Sequence, residues 1–159
     1  MGKLMVRSVL VICSGNLCRS PVGERLLRRA CGNLRVDSAG TVAVAADQAD
    51  PLAQHVSLGR GLTLEGHVPR SLTQEMARQY DLLLVMEPEH LRQVSALAPW
   101  ARGKTMLFGH WSQHRTIPDP YRRGVAIFES VFGLLEQDAL QWARRLNTYS
   151  LPSSLHACQ

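Results

Sequence analysis

Residues 8–21 read SVLVICSGNLCRSP, and the architecture turns on this stretch. Ser8 to Cys13 (SVLVIC) is a continuous apolar, β-branched run, the mark of a strand covered on both faces, as in a parallel sheet. Ser14 to Arg19 then makes a short polar loop. Ser20 and Pro21 read as a helix start, with Ser20 as N-cap and Pro21 in the first helical position. Val22, Leu26, Leu27, Ala30 and Cys31 follow at helical spacing on one face.

Outward from this unit, three further runs have strand character. They are Leu34 to Ser38, ending at Ala39-Gly40, then Asp81 to Met86 (DLLLVM), then Lys104 to Phe108 (KTMLF), stopped by Gly109. Helical patterns fall between them. Residues 50–60 have Pro51 near the start, Ser71 to Tyr80 has Thr73 as a cap, and Glu87 to Leu97 follows the third run. A last helix from Tyr121 to Asn147 carries Ile127, Val131, Leu134, Leu135, Leu140, Trp142 and Leu146 as a core stripe. Strand–helix alternation of this kind argues a parallel sheet with helices on both faces.

Composition narrows the class. The chain has 159 residues, 45% hydrophobic and 19% charged, which excludes a largely disordered protein and suits one globular domain. No run approaches the roughly 18 apolar residues of a membrane span. Lys3 and Arg7 precede an apolar run too short for a signal sequence, and Val6 stands where a myristoylation site needs Ser or Thr. Four cysteines, at 13, 18, 31 and 158, show no C-x-x-C pair and no zinc-finger spacing. The expectation is a cytoplasmic protein with free thiols, Cys31 packing and Cys158 in a tail. The loop His110-Trp111-Ser112-Gln113-His114 offers two histidines and no third ligand, so neither a metal nor another cofactor is expected.

The formal charge of +5 suits an anionic partner. The aromatics are scattered and do not alternate with basic residues, so no nucleic acid is expected. Arg25, Arg28, Arg29 and Arg35 read as a solvated basic face that could steer anionic peptides.

Chemistry concentrates where the first strand meets the first helix. In open α/β sheets ligands bind beyond the carboxyl ends of the strands. There, Cys13, five spacers and Arg19 wrap the mouth of a helix. Successive backbone N–H groups of Ser14, Gly15, Asn16, Leu17 and Cys18 can point at one tetrahedral oxyanion, and the helix dipole adds to their field. Arg19 can grip two phosphate oxygens in a fork. Gly15 and Asn16 tolerate the positive φ of a tight cradle. The same field favours the thiolate of Cys13, which can attack phosphorus, while Ser20 hydrogen-bonds the sulfur. The leaving oxygen needs a proton, and Asp119 in Ile117-Pro118-Asp119-Pro120-Tyr121 can give it, with Tyr121 stacking on an aromatic leaving group.

The nine residues C-S-G-N-L-C-R-S-P, followed by D-P-Y at 119–121, resemble the signature of the low-molecular-weight protein tyrosine phosphatases. The resemblance spans residues 6–147. It takes in Asp37-Ser38-Ala39-Gly40-Thr41, Asp50-Pro51, His67-x-x-Arg70 and the DLLLVME strand. Segments LTLEGH, ARGKTMLFGHW and IPDPYR are similar to the bacterial Wzb-type members of capsule and exopolysaccharide loci.

The resemblance implies Cys13 as nucleophile, Arg19 as phosphate clamp and Asp119 as general acid. It also implies that Asn16, Ser20, Ser38 and His67 brace the loop. The implied partner is a phosphotyrosine protein, the cytoplasmic tail of a membrane tyrosine autokinase that drives polysaccharide export. Two positions depart from the pattern. Val44 stands where many relatives place an aromatic cleft wall, and Arg122 stands where many eukaryotic relatives place a second tyrosine. Leu17 stands where arginine phosphatases of this fold carry threonine, which favours phosphotyrosine. No cysteine pair suits an arsenate reductase. Cys18, five residues from Cys13, raises a reversible disulfide that would shield the nucleophile.

The complete expectation is an α/β fold: a four-stranded parallel sheet in order 2-1-3-4 within a flavodoxin-like three-layer sandwich. Residues 1–149 form one phosphatase domain and 150–159 a disordered tail. Its activity is metal-independent hydrolysis of phosphotyrosine without membrane insertion.

Overall fold

The computed structural model of the protein describes residues 5–42 and 44–150, the last four by backbone only. Expectations for Met1 to Lys3, Ala43, Cys158 and the segment 151–159 lie outside the described residues. The strands are β1 (Ser8–Cys13), β2 (Arg35–Gly40), β3 (Leu82–Val85) and β4 (Thr105–Leu107). The helices are α1 (Arg19–Ala30), α2 (Pro51–Gly59), α3 (Gln74–Gln79), α4 (Pro88–Leu97) and α5 (Val125–Ser150), with a 3-10 turn at Pro99–Lys104.

The four strands form one parallel sheet in the order β2-β1-β3-β4, as the alternation and the resemblance implied. β1 is central, and Val9, Leu10, Val11 and Ile12 are wholly buried. Each contributes about 1.5–3 kcal/mol by leaving water. The pleat divides them. Val9 and Val11 pack with Val22 and Leu27 of α1, Val56 of α2, and Phe128 and Trp142 of α5. Leu10 and Ile12 pack on the other face with Ala77 of α3, Val94 of α4 and Ala101.

The boundaries depart from the sequence reading where side chains have other work. α1 begins at Arg19, and Ser20 is not its cap; Cys18 occupies the N-cap without a side-chain bond. The Ser20 hydroxyl is drawn to Cys13 instead. Pro21 still falls in the first turn, where an N–H has no intrahelical partner. β2 runs on to Gly40 because Cys13 pairs with Gly40 across the sheet. Ser71 bridges to Gly40 rather than joining α3, which starts after Thr73; that side chain caps Met76 N at 3.1 Å. Asp50 caps α2 through Leu52 N and Ala53 N. α5 starts four residues later than expected, because Arg122 (φ 60°) and Gly124 (φ 91°) are left-handed and cannot continue a right-handed helix. Leu140, expected in the core stripe of α5, is 43% exposed.

β1, β3 and β4 end together at one edge of the sheet. The Cys13–Arg19 loop, the Met86–Glu87 turn and the segment leading to Asp119 all leave from that edge.

Candidate active site

Cys13 closes β1 and is 3% exposed, so its sulfur lies at the floor of a cleft of about 320 Å³. The loop above it is turned outside in. Its carbonyls are taken from behind: Cys13 O by Thr41 N, Ser14 O by Val42 N, and Leu17 O by Asp50 N. The carbonyl of Asn16 accepts from His67 Nε2 at 2.7 Å. With these carbonyls held outward, the N–H groups of Gly15, Asn16, Leu17 and Cys18 meet no protein acceptor among the described residues. Asn16 and Cys18 are buried, where unpaired N–H groups are costly unless an anion or water receives them.

Asn16 is the hub of the loop. It takes φ 59°, a value asparagine tolerates better than most residues. Gly15 was expected to share this conformation and does not; its smallness serves instead to admit Val44, whose Cγ2 would lie 3.2 Å from an added Cβ. Gly40 allows a closer approach still, since a Cβ there would lie 2.5 Å from Ser14 O.

Side-chain bonds fix the proton order around the sulfur. Ser38 Oγ donates to Glu24 Oε1 at 2.6 Å, so it must accept from Asn16 Nδ2, at 3.0 Å. Asn16 Oδ1 accepts from Arg70 N, which sets the amide orientation. The same Nδ2 donates to Ser20 Oγ at 2.8 Å. The Ser20 O–H is then left to donate to Cys13 Sγ, 2.9 Å away. A relay that starts at a buried carboxylate therefore ends with a donor aimed at sulfur.

Arg19 is 2% exposed and held from one side. Its Nη1 donates to Glu87 Oε2 at 2.7 Å and to Ile117 O at 2.8 Å. Nη2 faces Asp119 Oδ2 at 3.8 Å, which is an ion-pair distance and not a hydrogen bond. Asp119 itself is half exposed and accepts from Tyr121 N. Leu17, Val42, Val44 and Tyr121 give the cleft apolar walls, with Asp119 at the mouth.

Three titratable neighbours are shifted. Burial, then the Arg19 charge, pushes His90 down to about 4. The neutral ring accepts from Met86 N at Nδ1, so Nε2 donates to Ser14 Oγ at 3.0 Å. Burial also lowers His67, opposed by its bond to the Asn16 carbonyl, and keeps it a neutral donor. Burial and then the Asp50 carboxylate raise the thiol of Cys18. Cys13 and Cys18 are both free thiols.

The structure thus gathers Cys13, Ser14, Gly15, Leu17, Cys18, Arg19, Val44, Asp119 and Tyr121 at one cleft. Asn16, Ser20, Ser38 and His67 lie directly behind it. Sequence reasoning did not assign Glu24, Glu87, Arg70 or His90 to the site. Glu87 had a signal: it is the residue after the DLLLVM run, at the strand end where ligands bind. His110 and His114, by contrast, pack edge-on to each other at 4.5 Å, away from the cleft lining, with His110 also against Trp111. Among the described residues no helix is long and apolar enough to cross a membrane.

Comparison with known proteins agrees with this geometry. Residues 8–150 match the family described as low molecular weight phosphotyrosine protein phosphatase. The chain is 52% identical to the low molecular weight protein-tyrosine-phosphatase Etp of Escherichia coli, over 92% of this chain and 99% of that one. The crystal structure of the Escherichia coli tyrosine phosphatase Wzb in complex with sulphate superposes with a TM-score of 0.87 and 54% identity, covering 89% of this chain and 99% of that one. The Erwinia amylovora tyrosine phosphatase AmsI gives 0.87 and 45%, covering 91% and 95%. A cysteine under a ring of unpaired N–H groups, in a fold shared this fully with tyrosine phosphatases, makes the chain a member of the low molecular weight protein-tyrosine-phosphatase family.

Proposed function

We propose that the protein hydrolyses phosphotyrosine through a phosphocysteine on Cys13. The phosphate oxygens sit on the N–H groups of Gly15 to Cys18 and on the free edge of the Arg19 guanidinium. Cys13 Sγ attacks phosphorus in line, the P–O bond to the tyrosyl ring breaks, and Asp119 gives its proton to the leaving oxygen. In the second step Asp119 takes a proton from water, the water oxygen bonds phosphorus, and the S–P bond breaks. Ser20 stabilises the departing sulfur through the 2.9 Å contact. No step calls for a metal.

The observation that carries this reading is the relay Glu24–Ser38–Asn16–Ser20–Cys13, which ends in a donor aimed at sulfur. A protein that only held phosphotyrosine would have no use for a stabilised sulfur. The depth of Cys13 favours phosphotyrosine over phosphoserine, because only a long aryl group carries phosphorus to the floor. Leu17, in the wall, suits an aryl ring better than a guanidinium.

We further propose that the physiological substrate is the phosphotyrosine-bearing cytoplasmic tail of a membrane tyrosine autokinase that controls capsule or exopolysaccharide export. The Wzb-type resemblance supports this reading, under which the enzyme works in the cytoplasm.

The test is single-turnover kinetics with a phosphotyrosine peptide in chelator. Asp119→Asn should lower turnover by about 10²–10⁴-fold and leave phosphate release from a substrate with a good leaving group less affected. Acid quench should trap phosphate on Cys13, and Cys13→Ser should abolish turnover. Phosphate release from Cys13→Ser at the native rate would overturn the mechanism.

A further inference from the structure

The arginines of α1 are already matched. Arg25 and Arg28 lie 2.9 and 3.2 Å from Glu24, Arg28 also reaches Asp37, and Arg29 faces Glu136 at 3.5 Å. Arg35 shares Asp37. Farther off, Arg60, Arg92 and Arg115 pair with Glu129, Glu89 and Asp138. The face expected to steer anions is therefore largely neutralised by its own carboxylates.

The mouth of the cleft is different. Tyr121 forms a cleft wall and is 40% exposed. The next two residues are Arg122 and Arg123, both exposed. Neither side chain has a carboxylate partner among the described residues. The Arg122 guanidinium lies over the Tyr121 ring, 5.0 Å from its centroid, which orders it without neutralising it. Arg122 also adopts φ 60°, a left-handed conformation that arginine rarely takes, which turns the chain at this point. The turn is closed by Arg123 N on Pro120 O at 3.0 Å. A stacked, unpaired guanidinium thus sits beside the wall against which a substrate ring would lie.

We propose that Arg122, braced on Tyr121 and reinforced by Arg123, recognises a carboxylate side chain flanking the phosphotyrosine, so that acid-flanked phosphotyrosine segments are the preferred substrates. This rests on the phosphotyrosine reading of the cleft. The pairing is made on an exposed rim, so it is modest and screened by salt. It acts on capture more than on chemistry.

The experiment uses two phosphotyrosine peptides that differ only in flanking residues, Asp and Glu in one and Asn and Gln in the other. A third peptide carries Lys at the same positions, and p-nitrophenyl phosphate reports the chemistry without flanks. The wild-type enzyme should prefer the acidic peptide by about three- to tenfold in kcat/KM, expressed in KM, with the preference shrinking in 0.5 M salt. In Arg122→Gln/Arg123→Gln the ratio should fall to about one. In Arg122→Glu/Arg123→Glu it should invert towards the Lys peptide, which a merely structural role would not produce. Equal kcat/KM for the acidic and neutral peptides in the wild type, or a preference that survives charge reversal, would overturn the proposal. Failure of the underlying reading looks different: neither peptide nor p-nitrophenyl phosphate would be turned over.

Discussion

The loop from Cys13 to Arg19 and the rim from Asp119 to Arg123 face the same cleft and are built in opposite ways. In the loop, polar groups are tied from behind: carbonyls to Thr41, Val42, His67 and Asp50, and side chains to Ser38, Glu87, Arg70 and His90. Asn16, Arg19 and Ser20 are all but fully buried. On the rim, Asp119, Tyr121 and Arg122 are exposed, and the ties are local, such as Tyr121 N to Asp119 and Arg122 on Tyr121. The loop meets the same phosphoryl group whatever carries it, so fixed dipoles serve every substrate and preorganisation is worth its cost. The rim meets whatever carries the phosphate, and can differ between relatives without disturbing the cradle. Chemistry and selectivity are therefore separable in this cleft.

The sharpest break is at Gly40, which is not in the loop at all. A methyl group there would lie 2.5 Å from Ser14 O and 3.0 Å from Asn16 N, both backbone atoms that cannot turn aside. Gly40→Ala should therefore displace the cradle. The expected result is a fall in kcat of about 100-fold, the scale of a displacement near 1 Å. Stability should drop by about 1–3 kcal/mol, the range for overpacking. Near-native kcat in Gly40→Ala, measured with p-nitrophenyl phosphate, would show that the loop is compliant and the contrast false.

In the unfolded chain His90 takes a proton near 6.5, and in the fold only near 4. Between those values the unfolded state binds more protons, so stability rises with pH. The contribution is complete above about pH 6.5 and is lost as pH falls toward 4. Lowering the pH from 7 to 5 should cost about 2 kcal/mol through His90, and His67, shifted in the same direction, adds to it. Urea unfolding at both values should show a flatter dependence in His90→Gln than in the wild type. An unchanged slope would mean that the ring is not held neutral behind Ser14.

Much of this was legible because it is local in sequence. The strand, the loop and the first helix follow one another within residues 8–30, so period, composition and the Cys–Arg spacing suffice. Asp119 was legible from its place beyond a strand end. What stayed hidden acts across the chain. The ties of Ser38 to Glu24, Arg70 to Asn16, Arg19 to Glu87 and Ser14 to His90 join residues 14, 54, 68 and 76 apart. No periodicity announces such pairs. His90 reads as one more residue of an amphipathic helix. Ser20 shows the other difficulty: a cap and a hydrogen bond to sulfur need the same hydroxyl, and only the fold decides between them. Net charge was legible as a sum, but its location was not, because Glu24, Asp37 and Glu136 neutralise the arginines that looked free.

The smallest effect should come from Val44, the wall opposite the usual aromatic pattern. Its Cγ2 already crowds Gly15, so a larger side chain must extend over the cleft rather than into the loop. Val44→Tyr should then add an aromatic face beside the substrate ring. Offset stacking is worth about 0.5–1.5 kcal/mol, hence a KM for phosphotyrosine peptide lower by about two- to tenfold. The phosphate cradle is untouched, so kcat should stay within about twofold, because binding gained equally by ground and transition states does not speed the chemical step. Phosphoserine peptide, too short to bring a ring to the wall, should show no gain. If kcat moved instead of KM, the rim would be coupled to the chemistry, and the separation between the tied loop and the free rim would have to be abandoned.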